Sequence, residues 1–481
     1  LQTEGLADLI NSETEKQRSM AISGLSGRLT AFVSYINEKI KHMLANTEAL
    51  IDFSDEDLPK NIFNKIIGLL TISSLLFVSC ENVDFGDENL NPNSISKANT
   101  GALITSAMRS IPGIVSNVDS GVLYAQHVSE ITYNEESCYE TIQWNFDSFY
   151  TGPLMNLQTV IDLNNSENAS DYSSSGSVGM QKGVAHLLKV YMLHVMTDRW
   201  GAIPYSEALT GVDNLKPKFD DQADVYAGML AEIDAALGFL DGGGLSGDFM
   251  FNGNAAKWRQ FGNTMKMVMA LRMADVDPAT AQAKFKEAIA GGVLTSNADN
   301  IHYPYTVADD NDNPWQDRFQ SREDYAASDT MVDHLFANSD PRLAKYAAPV
   351  VSATGDTSKI DYVEYGGNTY AGMPYGVLNP GILQTRISFL PSSIIYDGTE
   401  AGGMLYSYAQ VCFSYAEAHL RGWTGLAGDA QTWYELGIAA SHAQWGVASA
   451  DAAAYLASVA PVSYTHLRAH ETPEHRGWRG G

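Results

Sequence analysis

From about residue 97 to residue 461, apolar positions recur mostly three and four apart, the spacing of helices that bury one face. Residues 184–200 are apolar on nearly every side, which predicts a central helix with little solvent face. Residues 221–240 place Val225, Met229, Leu230, Ile233 and Leu237 along one stripe. Residues 255–276 predict a third helix, with Met265, Met267, Met269 and Met273 as core filler, since a flexible thioether fits irregular gaps. Asp277-Pro278 closes it and opens a helix over 278–290, because proline suits a first helical turn. Helices over 402–423 and 431–445 follow, joined by a Gly425–Gly428 turn. Residues 295–325 and 348–385 hold no period and are expected as long irregular loops. The fold class is therefore mainly α, built from helix pairs, although no clean self-match at a period of about 34 residues marks a tetratricopeptide array.

The pattern changes at two seams, near residues 59–60 and 461–463. Residues 1–59 are polar and helix-patterned, with Leu6, Leu9 and Ile10 on one face and a longer helical segment over 19–51. Residues 60–80 begin with Lys60 and Lys65, continue with an apolar run over 66–78 and stop at Ser79-Cys80. That run is short for a bilayer span and has the form of a lipoprotein signal peptide, with Cys80 as the acylated residue. Phe77 stands where such sites prefer leucine. Residues 81–96, with Glu81, Asp84, Asp87, Glu88 and the turn Asn91-Pro92-Asn93, read as a tether. The formal net charge of −27 disfavours phosphate backbones, so nucleic-acid binding is not expected. The three cysteines form no C-x-x-C pair, which removes zinc-ribbon and thioredoxin-like readings.

Three resemblances give these pieces content. Glu4-Gly5-Leu6-Ala7-Asp8-Leu9-Ile10, the Thr14-Glu15 and Gln17-Arg18 stretch, and Glu48-Ala49-Leu50-Ile51-Asp52-Phe53 resemble the start of the helical domain of MnmE (TrmE), a tRNA-modifying GTPase. The phosphate loop that such a GTPase needs, G-x-x-x-x-G-K-[ST], is absent from the chain, so that activity is not carried over. Gly201-Ala202-Ile203-Pro204-Tyr205-Ser206-Glu207-Ala208-Leu209, Phe219-Asp220-Asp221-Gln222, Asn254-Ala255-Ala256-Lys257-Trp258, Ser328-Asp329-Thr330-Met331-Val332, Asp340-Pro341-Arg342-Leu343, Met373-Pro374-Tyr375-Gly376, Ser414-Tyr415-Ala416-Glu417-Ala418 and Trp445-Gly446-Val447 occur in order and resemble SusD/RagB-type lipoproteins. That resemblance runs from about 60 to 461. It implies an α-helical scaffold with tetratricopeptide-like helix pairs, a lipid anchor on the outer membrane, an oligosaccharide or sometimes peptide ligand, and a SusC-like TonB-dependent transporter as partner. Ser463-Tyr464-Thr465-His466-Leu467-Arg468 resembles translated adapter sequence. The expected organisation is thus a chimera: an MnmE-like fragment (1–59), a signal peptide (60–80), a tether (81–96), a SusD-like domain lacking the family's C-terminal part (97–461) and a non-native tail (462–481).

Sugar capture calls for flat aromatic faces beside hydrogen-bonding side chains. Two loops offer both. One, around Tyr139 to Tyr150, contains Trp144 and Asn145; the other runs from Tyr303 through Asp309–Asn313 to Trp315 and Arg318. Trp315, Trp144, Tyr303, Asn313 and Arg318 are the candidate ligand-binding residues, and the alternative for each tryptophan is that it pins its own loop to the core. Asp309–Asn313 fails the EF-hand pattern at Pro314 and Gln320 and reads as a solvated acidic loop. His466, His470 and His475 lack a companion ligand set. No metal or cofactor is expected, no G-x-S-x-G elbow marks a hydrolase, and Cys412, on an apolar helix, reads as a buried thiol. The leading expectation is a binding protein; the rivals are a peptide-binding relative, a glycan-active enzyme and, remotely, a GTPase fragment.

Overall fold

The structure, a computed structural model, describes residues 98–115, 119–140, 145–306, 311–353, 360–395 and 403–459, together with Ser34, Tyr35, Glu38 and Lys41. The chain divides into two units, 1–96 and 97–481. In the first unit those four residues are helical and exposed, and Lys41 lies 3.6 Å from Glu38 one turn away. The remainder of the MnmE-like segment, the signal-peptide segment with Cys80, the tether and the tail lie outside the described residues.

The second unit is largely helical. Its main helices are α1 (Thr100–Arg109), α2 (Met155–Asn165), α3 (Val178–Trp200), α4 (Gln222–Phe239), α5 (Ala255–Arg272), α6 (Pro278–Gly291), α7 (Pro314–Ser321), α8 (Asp329–Ala337), α9 (Tyr408–Leu420), α10 (Ala430–Gln444) and α11 (Ser449–Ser458). They pack as sequence neighbours: α3 with α2 and α4, α5 with α6, and α9 with α10. Each start has a local cause. Ser177 caps α3 by accepting from the Met180 amide (3.1 Å), Asn254 caps α5 through the Ala256 and Lys257 amides, and Asp277 and Asp429 cap α6 and α10. These caps satisfy first-turn donors that have no helical partner.

Helix α3 is the centre, with Val184, Leu187, Leu188, Met192 and Met196 all fully buried, as its all-round apolarity requires. Small residues let the pairs approach. A β-carbon at Gly183 would come within 2.7 Å of Leu240, and one at Gly437 within 2.8 Å of the Phe413 ring. Trp258 is wholly buried in α5, and its indole N–H donates to Asp248 (2.7 Å). Asp248 also accepts from the amides of Met250, Phe251 and Gly253, so one carboxylate ties the entering loop to the core. A second tie joins distant segments: Asp340 and Arg342 form a forked ion pair, and Arg342 donates to Ser441 of α10 (2.9 Å).

Strands are few and pair as two-stranded antiparallel ribbons: β1 (Val128–Glu130) with β5 (Tyr325–Ala327), β2 (Ile203–Pro204) with β3 (Phe219–Asp220), β4 (Ile301–His302) with β8 (Met404–Tyr406), and β6 (Val363–Tyr365) with β7 (Asn368–Tyr370). The last is a hairpin turned by Gly366 and Gly367, both at positive φ (58° and 79°), the backbone that a two-residue hairpin demands.

The structure departs from the sequence pattern in three places. The expected helix from 402 starts at Tyr408, because Met404–Tyr406 pairs with β4 and Ser407 caps the helix instead. The expected loop over 295–325 contains α7, nucleated by Asn313 and Pro314. The loop over 348–385 contains the β6–β7 hairpin.

Candidate ligand-binding surface

The β1–β5 ribbon carries aromatic side chains at both ends. Past β1 the chain makes a 3-10 turn over Glu136–Cys138 and then places Tyr139 in the left-handed region (φ 61°, ψ 41°). A non-glycine residue there is uncommon and persists only where its surroundings fix it. Here they do. The Tyr139 ring stacks on Tyr124 (centroids 5.6 Å apart, planes 20° apart) and meets the edge of Tyr375 at 5.8 Å. Its hydroxyl accepts from Gln126 Nε2 (2.6 Å). The Tyr124 hydroxyl donates to the Glu140 carbonyl (2.8 Å), and that of Tyr375 to the Leu123 carbonyl (2.6 Å). Tyr139 nonetheless stays 53% exposed, so a restrained aromatic ring faces solvent. Burial and the neighbouring Tyr139 raise the Tyr375 phenol well above its ordinary value, so it remains a neutral donor.

A second group lies where β5 meets α7. The half-buried Trp315 ring meets Tyr325 edge-on (5.4 Å, 89°), and the Arg318 guanidinium lies 5.5 Å from the Trp315 centroid and 5.8 Å from that of Tyr325. Arg322 sits 5.0 Å over the 49%-exposed Tyr133, donates to its hydroxyl and pairs with Asp324 at 2.7 Å. Leu123 joins the two groups: its buried side chain packs in the Trp315 and Tyr325 cluster, and its carbonyl holds Tyr375.

Within the ribbon, at the end of β1, Glu130 is only 2% exposed. Burial, reinforced by the Glu136 carboxylate hydrogen-bonded to it and by Asp324, pushes its carboxyl up to about 8.

The sequence-derived residues divide. Trp315 and Arg318 come together in the second group. Trp315 belongs to a helix rather than lying outside helical structure, with one side packed on Phe319 and Tyr325. Tyr303 turns inward: it is 1% exposed, its ring meets Phe249 and Tyr305, and its hydroxyl donates to Asn311 (2.6 Å), so it has no face left to offer a ligand. Asn313, wholly buried, caps α7 by accepting from the Trp315 amide (3.1 Å) and donates to the Ile394 carbonyl (3.1 Å). Trp144, Asp309 and Asp310 lie outside the described residues. Cys412 is fully buried in α9, and burial pushes its thiol up to about 11; neither it nor Cys138 is in a disulfide.

Sequence reasoning missed the stack of Tyr124, Tyr139 and Tyr375. Tyr139 opened one of the two aromatic loops and Tyr375 stood within Met373-Pro374-Tyr375-Gly376. Nothing local, however, announces that three segments so far apart converge.

The fold of this unit is shared by solved SusD-like proteins. Similar solved structures include a chitin-binding protein (25% identical, TM-score 0.62, covering 75% of this chain and 80% of that one). A chitin-binding SusD homologue from Flavobacterium johnsoniae is 25% identical (TM-score 0.57, 74% and 72% covered), and a SusD homologue from Bacteroides fragilis 24% (TM-score 0.59, 75% and 76%). This chain belongs to the SusD-like family described as starch-binding and associating with the outer membrane, whose profile matches residues 92–475. That range runs past residue 461 into the segment read above as a tail. The N-terminal region is separately similar to the tRNA modification GTPase MnmE, 48% identical over 67 residues in Bartonella henselae and 44% over 69 in Rickettsia conorii. The match spans 15% and 16% of those two proteins' length.

Proposed function

We propose that this chain captures glycan at the cell surface on the Tyr139 and Trp315 aromatic groups, without breaking a bond, and delivers it to a SusC-like TonB-dependent transporter. In this reading Cys80 carries the lipid that anchors it to the outer membrane. The observation that carries the binding role is Tyr139, exposed yet fixed in a left-handed backbone and stacked from behind. A ring ordered in advance loses little freedom when a sugar settles on it, and the polarised C–H face of a pyranose suits an aromatic plane. Two chitin-binding proteins of the same fold support a glycan over a peptide.

A catalytic reading gains nothing from the carboxyl pair found here. Glu130 is only 2% exposed, and burial with the neighbouring Glu136 raises its carboxyl, so it is shut off from any substrate on the surface. The test is a titration of chitooligosaccharides, maltooligosaccharides and peptides, with each hit assayed for released product. Tyr139→Ala should weaken glycan binding about tenfold, as expected for loss of roughly 1.4 kcal/mol of stacking and burial. Trp315→Ala should weaken it less, since much of that ring already packs on protein. Released product would move the chain to the enzymes, and peptide binding with glycan indifference would transfer the role to peptides.

A further inference from the structure

A different set of elements lines an open cavity of about 560 Å³, shared among α2, α3, α4 and the segment following β2. It shares no residue with the aromatic surface, and its size falls in the range of small-molecule sites. Its floor is a chain of polar side chains. Glu232 of α4 accepts from Lys189 (2.7 Å) and from the Tyr205 hydroxyl (3.2 Å), and its other contact is His186 Nδ1 at 2.5 Å. Lys189 also donates to Gln158 (3.1 Å), which in turn donates to Asp162 (2.8 Å). Burial opposes ionisation of Glu232, but His186 and Lys189 outweigh it and hold the carboxyl below its ordinary value.

The walls are fixed as firmly. Asp220 accepts from the amides of Tyr205 and Ser206 and from the Ser206 hydroxyl, locking the segment that carries Tyr205. The Tyr150 hydroxyl donates to the Pro204 carbonyl, which holds its ring against the space. Leu209, also in the wall, has φ 65°, a strained value for a leucine. An interhelical tie would need only the floor; here the tie borders open volume.

The charge is lopsided. Three carboxylates line the cavity, Asp162, Asp213 and Glu232, against one ammonium, Lys189. Lys189 is spent on Glu232, so Asp162 and the exposed Asp213 leave the space negative. We propose that this cavity is a second, separate binding site for a small polyhydroxylated ligand bearing a protonated amine, an amino sugar of one ring. The amine answers the uncompensated carboxylates, the hydroxyls answer the Gln158 and Lys189 chain, and the Tyr150 ring forms the apolar wall.

Calorimetry and saturation-transfer NMR on the whole chain, with glucosamine, N-acetylglucosamine and glucose as probes, test this. Glucosamine should bind saturably and at least tenfold more tightly than either neutral sugar. Asp162→Asn and Asp213→Asn, at exposed positions that leave the core intact, should each weaken it severalfold. Tyr139→Ala should leave it unchanged, which separates failure here from failure of the aromatic surface. Equal affinity for all three sugars, no saturation by tens of millimolar, or a glucosamine signal lost in Tyr139→Ala but retained in both aspartate variants would overturn the proposal.

Discussion

Replacing Glu130 by glutamine should change how stability responds to pH while leaving the fold intact. The carboxyl is 2% exposed, faces Glu136 and Asp324, and is raised from 4.5 to about 8. Asp324 is itself paired with Arg322, which softens its effect. With the folded value raised, the native state holds one proton more than the unfolded chain between pH 4.5 and about 8. Stability from this group is therefore complete below pH 4.5, is lost as pH rises through 8, and is flat beyond. One proton corresponds to a limiting slope of about 1.4 kcal/mol per pH unit, so the loss accumulates to a few kcal/mol across the window. Glutamine keeps the shape and can donate to Glu136 at every pH, as the protonated acid does. Urea unfolding followed by far-UV ellipticity at pH 5, 6, 7, 8 and 9 should show the parent losing stability faster than Glu130→Gln. The two should be similar at pH 5 and the variant more stable by a few kcal/mol at pH 9. Subtracting one profile from the other cancels the titrating groups away from Glu130 and leaves the response of the pair it forms with Glu136. Parallel profiles would refute the argument and mean that Glu130 is ionised in the native state across the whole range.

Other substitutions test the scaffold. Trp258→Ala empties a fully buried site and strands Asp248, and should cost about 3–5 kcal/mol in chemical denaturation. Gly372→Ala would bring a β-carbon to 2.2 Å from the Asp329 backbone, where nothing can give by rotating; a lowered melting temperature and a disturbed Tyr375 position are expected. Asp220→Asn should cost on the order of 2 kcal/mol at neutral pH by weakening charge-assisted bonds from Ser206 and Tyr205. Those bonds, chiefly the Ser206 amide, hold Asp220 down to about 2, so its contribution is present above pH 4 and fades as pH falls through 2. Cys412 should resist iodoacetamide at pH 8 in the native protein and react after unfolding, as peptide mapping would show, because its thiol is buried and raised.

The helices were legible because their causes are local: apolar spacing, Asp277-Pro278, Asn254 and Ser177 each act within a turn or two. The ribbons were not, since residues such as Met404–Tyr406 become a strand only when Ile301–His302 lies alongside. The same divide runs through the site. Trp315 and Arg318, three positions apart on α7, could be paired from sequence spacing, although the short helix itself went unread. Tyr303 and Asn313 looked equally eligible, and only the fold reveals that both are spent indoors. Residue type marks which side chains can meet a sugar, but exposure is settled by segments tens of positions away, by Phe249 for Tyr303 and by Ile394 for Asn313. The order of the family signposts carried what local pattern lacked.

The bond from Tyr375 to the Leu123 carbonyl spans 252 residues, while the helix pairs close over far shorter connections. Joining distant segments costs loop entropy before any contact offsets it, so such features form late. In refolding, helical ellipticity should therefore lead, and the contacts of the proposed Tyr139 platform should follow in a slower phase. On the ribosome the polarity is sharper: α3 to α6 can be complete while Tyr139, already beside Tyr124 and Gln126, still waits for Tyr375 to be made. If the Tyr139 group is the platform proposed above, recognition is among the last things to mature, and a stall before Tyr375 would leave well-formed helices beside an unfinished site.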